Sequence, residues 1–79
     1  MGRTPKVGDI VWFGLAEGKD EQQRDLPKAK PAVVVEVYEP GNPTSLLSAV
    51  VFSSRGPAMY QPEVRYSATL ACESWTWPS

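Results

Sequence analysis

The amino-acid sequence predicts an all-β domain, and three observations carry that prediction. Apolar, β-branched and aromatic residues gather in short runs with the period-two alternation of a strand. Gly, Pro, Asn, Asp and Ser gather between those runs, where turns need them. A helical reading of Ala16 to Leu26 has only Leu15 and Leu26 to anchor a face, too little for an amphipathic helix.

The chain is organised around a hairpin from Pro31 to Phe52. Its strands are Ala32–Tyr38 and Leu46–Phe52, joined by the turn-rich Glu39-Pro40-Gly41-Asn42-Pro43-Thr44-Ser45. Val33, Val35 and Val37 alternate onto one face, with Val34 on the other. Leu46, Val50 and Phe52 alternate against Leu47, Ala49 and Val51. Both faces are largely apolar, which predicts burial on both sides over part of the strand.

Before the hairpin, Met1–Pro5 reads as a short flexible arm. Gly8-Asp9 is a turn signal. Ile10–Phe13 follows as a strand, with Ile10 and Trp12 on one face and Val11 and Phe13 on the other. Residues 14–30 read as a long, charged, mobile loop, because charges crowd it and large apolar residues are few. Pro27 and Pro31 bracket its end, where a missing N–H suits a strand start or edge. Beyond the hairpin, Ser53-Ser54-Arg55-Gly56-Pro57 is a turn. Ala58–Gln61 is a short strand, Pro62 interrupts pairing, and Val64 and Tyr66 alternate in a further edge strand. Ser67–Cys72 has no firm assignment. Trp75 and Trp77 then share one face of a closing strand.

Five short strands in a single domain of 79 residues are the count of a strongly bent, SH3-like barrel whose last strand pairs near the first. A chain of this size buries only roughly 60–65% of its unfolded surface, so the closing tryptophans matter. Two of them bury about 400 Å², at roughly 200 Å² each.

Composition excludes several functions. The 42% apolar fraction fits a globular domain, and the net charge of −1 argues against non-specific nucleic-acid binding. No apolar run approaches the roughly 18 residues of a membrane span, and no signal peptide is evident. With one cysteine, Cys72, an internal disulfide is impossible and a reducing compartment is the default. No histidine means no usual general base, no Ser-His or Cys-His pair and the loss of the commonest metal ligand. The carboxylates show no paired catalytic spacing. No cofactor, metal or catalytic residue is expected. Cys72 reads as a small buried hydrophobe, and Asp9 as the cap of its turn. Tyr38, Arg55, Tyr60 and Tyr66 are the candidate partner-binding residues, the tyrosines with one of the tryptophans as an aromatic patch of the kind SH3-like barrels present to peptides or strands, and Arg55 as a reader of acidic partners at a loop tip. The competing reading makes the tryptophans core and the tyrosines boundary residues.

Two resemblances follow from these residues. From Val7 to the end the chain is similar to a group of small actinobacteriophage proteins. They open with Gly-Asp-Ile-Val, continue with Ala-Ala-Val-Val-Thr-Glu-Val, run an apolar strand into Asn-Pro-Thr-Gly, and close with Gly-Thr-Trp-His-Trp-Pro. Here these stand as Gly8-Asp9-Ile10-Val11, Pro31-Ala32-Val33-Val34-Val35-Glu36-Val37, Val50-Val51-Phe52-Ser53-Ser54-Arg55-Gly56 and Glu73-Ser74-Trp75-Thr76-Trp77-Pro78. Thr76 replaces the family's histidine, Ser54 its proline, and its cysteine before the valine strand is absent, so no role of those residues carries over. The resemblance implies a phage-encoded, small β-rich protein. The opening half also resembles toxin endoribonucleases of the MazF and PemK type, through Gly8-Asp9-Ile10-Val11-Trp12 and Lys30-Pro31-Ala32-Val33-Val34-Val35. Those toxins are longer and more basic and place an arginine where this chain has Lys30, so the resemblance implies shared barrel geometry.

The expectation is a non-enzymatic, phage-encoded protein-interaction module, an accessory structural component of the virion (capsid, connector or tail). Its partner would be a phage structural protein or a host protein, with homo-oligomerisation open, and neither nucleic acid nor membrane is expected. The alternative is an effector in the host cytoplasm that binds and inhibits a host protein. The remote alternative is a MazF-like RNase.

Overall fold

The structure is a computed structural model that describes residues 3–53 and 56–78. It is all-β, with five strands: β1 (Ile10–Lys19), β2 (Asp25–Val37), β3 (Leu47–Val51), β4 (Met59–Tyr66) and β5 (Ser74–Thr76). They close into a barrel in the order β1-β2-β3-β4-β5, the small SH3-like architecture that the sequence predicts. β1–β2, β2–β3 and β3–β4 pair antiparallel. β5 closes the wall by pairing antiparallel with β1 (Trp12↔Thr76, Phe13↔Trp75) and parallel with β4 (Arg65↔Ser74, Tyr66↔Trp75).

The main correction concerns residues 14–30. They are not a long loop. β1 runs on to Lys19, β2 begins at Asp25, and the two pair through Gly14↔Ala29, Leu15↔Lys28 and Ala16↔Pro27. Only 20–24 is turn. Asp20 builds it: its carboxylate accepts from the N–H groups of Gln22 (2.8 Å) and Arg24 (2.9 Å) and from Arg24 Nε (2.9 Å). Gln23 takes a positive φ of 63°. Both prolines fit the ladder. The Pro31 carbonyl accepts from Phe52 N–H at 2.9 Å, so Pro31 turns its backbone polar groups toward β3. Pro27, four residues earlier on the same alternation, faces the same way, so neither ring removes a bond to β1.

Of the arm over Met1–Pro5, residues 3–5 are described and belong to no strand. Pro5 is buried, and the Arg3 guanidinium lies 3.9 Å from the Trp77 ring centroid, a cation–π contact. Asp9 caps its turn as read: its Oδ2 accepts from Lys6 N–H (2.9 Å) while Asp9 N–H donates to the Lys6 carbonyl (3.0 Å).

The core is Val11, Phe13, Ala32, Val34, Leu47, Ala49, Val51, Val64 and Trp75, with Leu15, Val37, Tyr66 and Trp77 packed against it. Two irregularities set the faces. The β2–β3 register slips between Val34 and Glu36, so Val33 faces outward and Val37 inward, whereas simple alternation puts them together. The β3–β4 register slips between Leu47 and Ala49, opposite Pro62 and Glu63. Pro62 therefore bends one continuous strand at a bulge; it does not split two strands.

Trp75 fastens the closure. It is 1% exposed, its Nε1–H donates to the Ser45 carbonyl at 3.1 Å, and it meets Tyr66 and Trp77 edge-on at 4.9 and 5.4 Å. Trp77 is only half-buried. The aromatic burial is thus nearer one full tryptophan than two, about 5 kcal/mol at roughly 25 cal/mol per Å² as an upper figure. Closure also requires Gly14. A Cβ there would sit 1.8 Å from the Ala71 carbonyl oxygen, and the Gly14 carbonyl accepts from Glu73 N–H at 2.7 Å.

Candidate interaction surface

β3 is buried on both faces over Leu47–Ala49, as the apolar faces predict for part of the hairpin, but along the rest of the wall an apolar outer face is left partly open. Ile10, Val33, Val50 and Tyr60 are register partners in sequence across β1, β2, β3 and β4. Partners directly opposite each other share a face, so these four form one row over the barrel wall. Two residues along, Trp12 pairs with Pro31, which is bonded to Phe52, giving a second row. Ile10 is 52%, Phe52 46% and Tyr60 58% exposed. Val33, Val50 and Trp12 are half-buried. None of these seven side chains carries a charge.

One end of the band is polar. Tyr38 is exposed, and its hydroxyl shares a 3.1 Å hydrogen bond with Ser48 Oγ, which also donates to Glu36 Oε1 at 3.5 Å. Ser48 itself is fully buried. The Tyr38–Ser48 bond locks the ring against β3, two residues along the strand from Val50. Val35, the extra residue at the β2 slip, is exposed at the same margin.

Of the four sequence candidates, Tyr38 and Tyr60 thus belong to one face. Tyr66 does not. It packs against the core and Trp75, because the Pro62–Glu63 bulge turns the end of β4 inward. Arg55 lies outside the described residues. Trp12 is the tryptophan this face supplies, whereas Ile10, Val33, Val50 and Phe52 are not among the sequence candidates. Their signal was the second apolar face of the strands, read as burial on both sides.

Two concavities lie elsewhere. One, of about 550 Å³, opens where β4 and the segment before β5 separate. Its lining includes Phe13, Glu63, Arg65, Cys72 and Glu73. Glu63 and Glu73 both have positive φ (53° and 57°). Cys72 is half-buried, and its thiol lies 3.8 Å from the Asp25 carbonyl. The other, of about 330 Å³, lies between Pro5–Val7 and Val37–Gly41. Among the described residues no group of three His, Cys, Asp or Glu side chains could hold a metal ion, and no helix is long and apolar enough to cross a membrane.

The fold and this surface define a class: a small closed β-barrel with an apolar outer sheet face. No family model, no curated protein and no solved structure matches this chain.

Proposed function

We propose that this protein is a non-enzymatic protein-interaction module, an accessory structural component of a phage virion, that docks through the outer face of β1–β4. The observation that supports docking is the uncharged band Ile10–Val33–Val50–Tyr60 with Trp12, Pro31 and Phe52, lying outside a core complete without it. Contiguous exposed apolar patches on small domains mark contact surfaces, and aromatic residues are enriched at their centres. The phage setting rests on the resemblance carried by the opening Gly8–Val11, the valine strand and the closing Trp75-Thr76-Trp77-Pro78.

Mass spectrometry of purified phage particles tests this reading. Peptides of this chain at fixed copy number are the expected result, and the copy number would separate capsid from tail. Abundance in infected cells with absence from particles would refute the virion assignment and favour an effector that binds a host protein.

A further inference from the structure

We infer that the first partner of the outer face is a second copy of this chain, packed sheet to sheet about a two-fold axis. This rests on the reading of that face as an interaction surface and names what covers it.

Area is the first ground. Ile10, Phe52 and Tyr60 are each about half exposed, Val35 and Tyr38 are 41% exposed, and the half-buried members add a little more. Together they present roughly 500 Å², within the range of the largest patch on a small monomer. Two such patches bury about 1,000 Å², the lower bound for a specific interface. An interface at that lower bound makes a weak, reversible dimer.

Charge is the second ground. The seven-residue band carries no charged side chain, so band meeting band meets no like charge; exposed Glu36 stands beyond it, at the polar margin with Tyr38 and Ser48. The net charge of −1 adds almost no long-range repulsion. A partner recognised by salt bridges would need a charged anchor within the band, and there is none.

Shape is the third. Along the row, the exposed side chains Ile10 and Tyr60 stand at the two ends, with half-buried Val33 and Val50 between them. An axis parallel to the strands, midway between β2 and β3, reverses the row. It sets Tyr60 over Ile10 of the second copy, Val50 over Val33, and Phe52 over Pro31. One patch is used twice, as a two-fold contact requires. The sheets then pack aligned, within about 30° of each other and about 10 Å apart.

Sedimentation velocity on the full chain, from micromolar to millimolar, reads the mass directly. The expected result is a shift from 8.7 kDa toward twice that mass as concentration rises. Ile10→Lys and Tyr60→Lys, both at exposed positions, should each weaken association at least about tenfold. Thr69→Lys, exposed in the β4–β5 connection, should leave it unchanged. Ile10→Lys combined with Tyr60→Glu places opposite charges across the axis and should recover association relative to either lysine variant alone. A monomer at every concentration overturns the inference, as does a dimer indifferent to both lysines. A monomer present in particles at fixed copy number would overturn the dimer and leave the virion reading standing. A dimer absent from particles would do the reverse.

Discussion

Replacing Gly14 with alanine adds one methyl group where the barrel wall has no room for it. The new Cβ would lie 1.8 Å from the Ala71 carbonyl oxygen and 2.7 Å from its carbon. Both are backbone atoms, so no rotamer change relieves the clash; the 71–73 segment must move. Overpacking of this kind costs about 1–3 kcal/mol. Moving Glu73 also stretches its 2.7 Å N–H bond to the Gly14 carbonyl, a loss of about 1 kcal/mol. Alanine's advantage over glycine in a strand returns roughly 0.5–1 kcal/mol. The net loss is about 1–3.5 kcal/mol, set against a total stability of about 4–12 kcal/mol for a domain of this length. Urea unfolding followed by tryptophan fluorescence should show a lower midpoint at unchanged slope, and the thermal midpoint should fall by about 5–25 °C. Gly56→Ala is the control. Among the described residues its Cβ would meet nothing within 4 Å, and its φ is not positive, so its stability should stay within about 0.5 kcal/mol of wild type. A Gly14→Ala protein as stable as that control would refute the close approach of β1 and the segment before β5.

Trp75→Phe keeps most of the packing but orphans the Ser45 carbonyl, at about 1–3 kcal/mol; Trp75→Ala should cost about 3–5 kcal/mol, and removing 74–79 should abolish the cooperative melt altogether, both read by circular dichroism. Tyr66→Ala should cost about 2 kcal/mol through its contacts with Trp75, whereas Tyr60→Ala should shift thermal stability by less than about 0.5 kcal/mol, which separates the core tyrosine from the surface one. The Asp20 carboxyl is held below its ordinary value, chiefly by the Arg24 backbone N–H, with the Arg24 side chain and Gln22 N–H adding to it and burial opposing. Its folded value is thus depressed, so its support of the 20–24 turn is present above the usual carboxylate pKa of about 3.9 and is lost as pH falls through the folded value. Amide shifts of Gln22 and Arg24 in an acid titration should report that loss, and Asp20→Asn, which keeps an acceptor oxygen, should remove the pH dependence.

The barrel was legible because its strands alternate and its turns are chemically marked. The β1–β2 extension was not. Leu15, Glu17, Lys28 and Lys30 alternate with Gly14, Ala16, Pro27 and Ala29, a pattern with little apolar contrast. An extended hairpin arm is held by its backbone ladder and by pairs such as Lys30–Glu17 (3.6 Å) and Lys19–Asp25, which hydrophobic periodicity does not register. The faces of β2 and β3 were ambiguous for the opposite reason. Val33 and Val34, or Leu46 and Leu47, are equally apolar, and only closure decides which turns inward. The slips at Val35 and at Pro62–Glu63 then reverse the alternation, which is how Val37 and Tyr66 reach the core while Val33 stays outside. The surface positions of Tyr38 and Tyr60 were legible because tyrosine suits a half-wet face. The apolar members of the same surface look like core residues until the core is seen to be full.

Closure through Phe13↔Trp75 has a kinetic side. The pairing joins positions near opposite ends of the chain, so most of the loop-closure entropy is lost before the Trp75 indole meets its core partners. Local pieces such as the β1–β2 hairpin can form in microseconds, but the cooperative step waits for that distant encounter. Until it happens, the β4 edge and both apolar faces of the wall lie open together. The interval before β5 docks is the time in which this chain is most exposed to aggregation. Weakening the Trp75 cluster should lengthen that interval as well as lower the final stability.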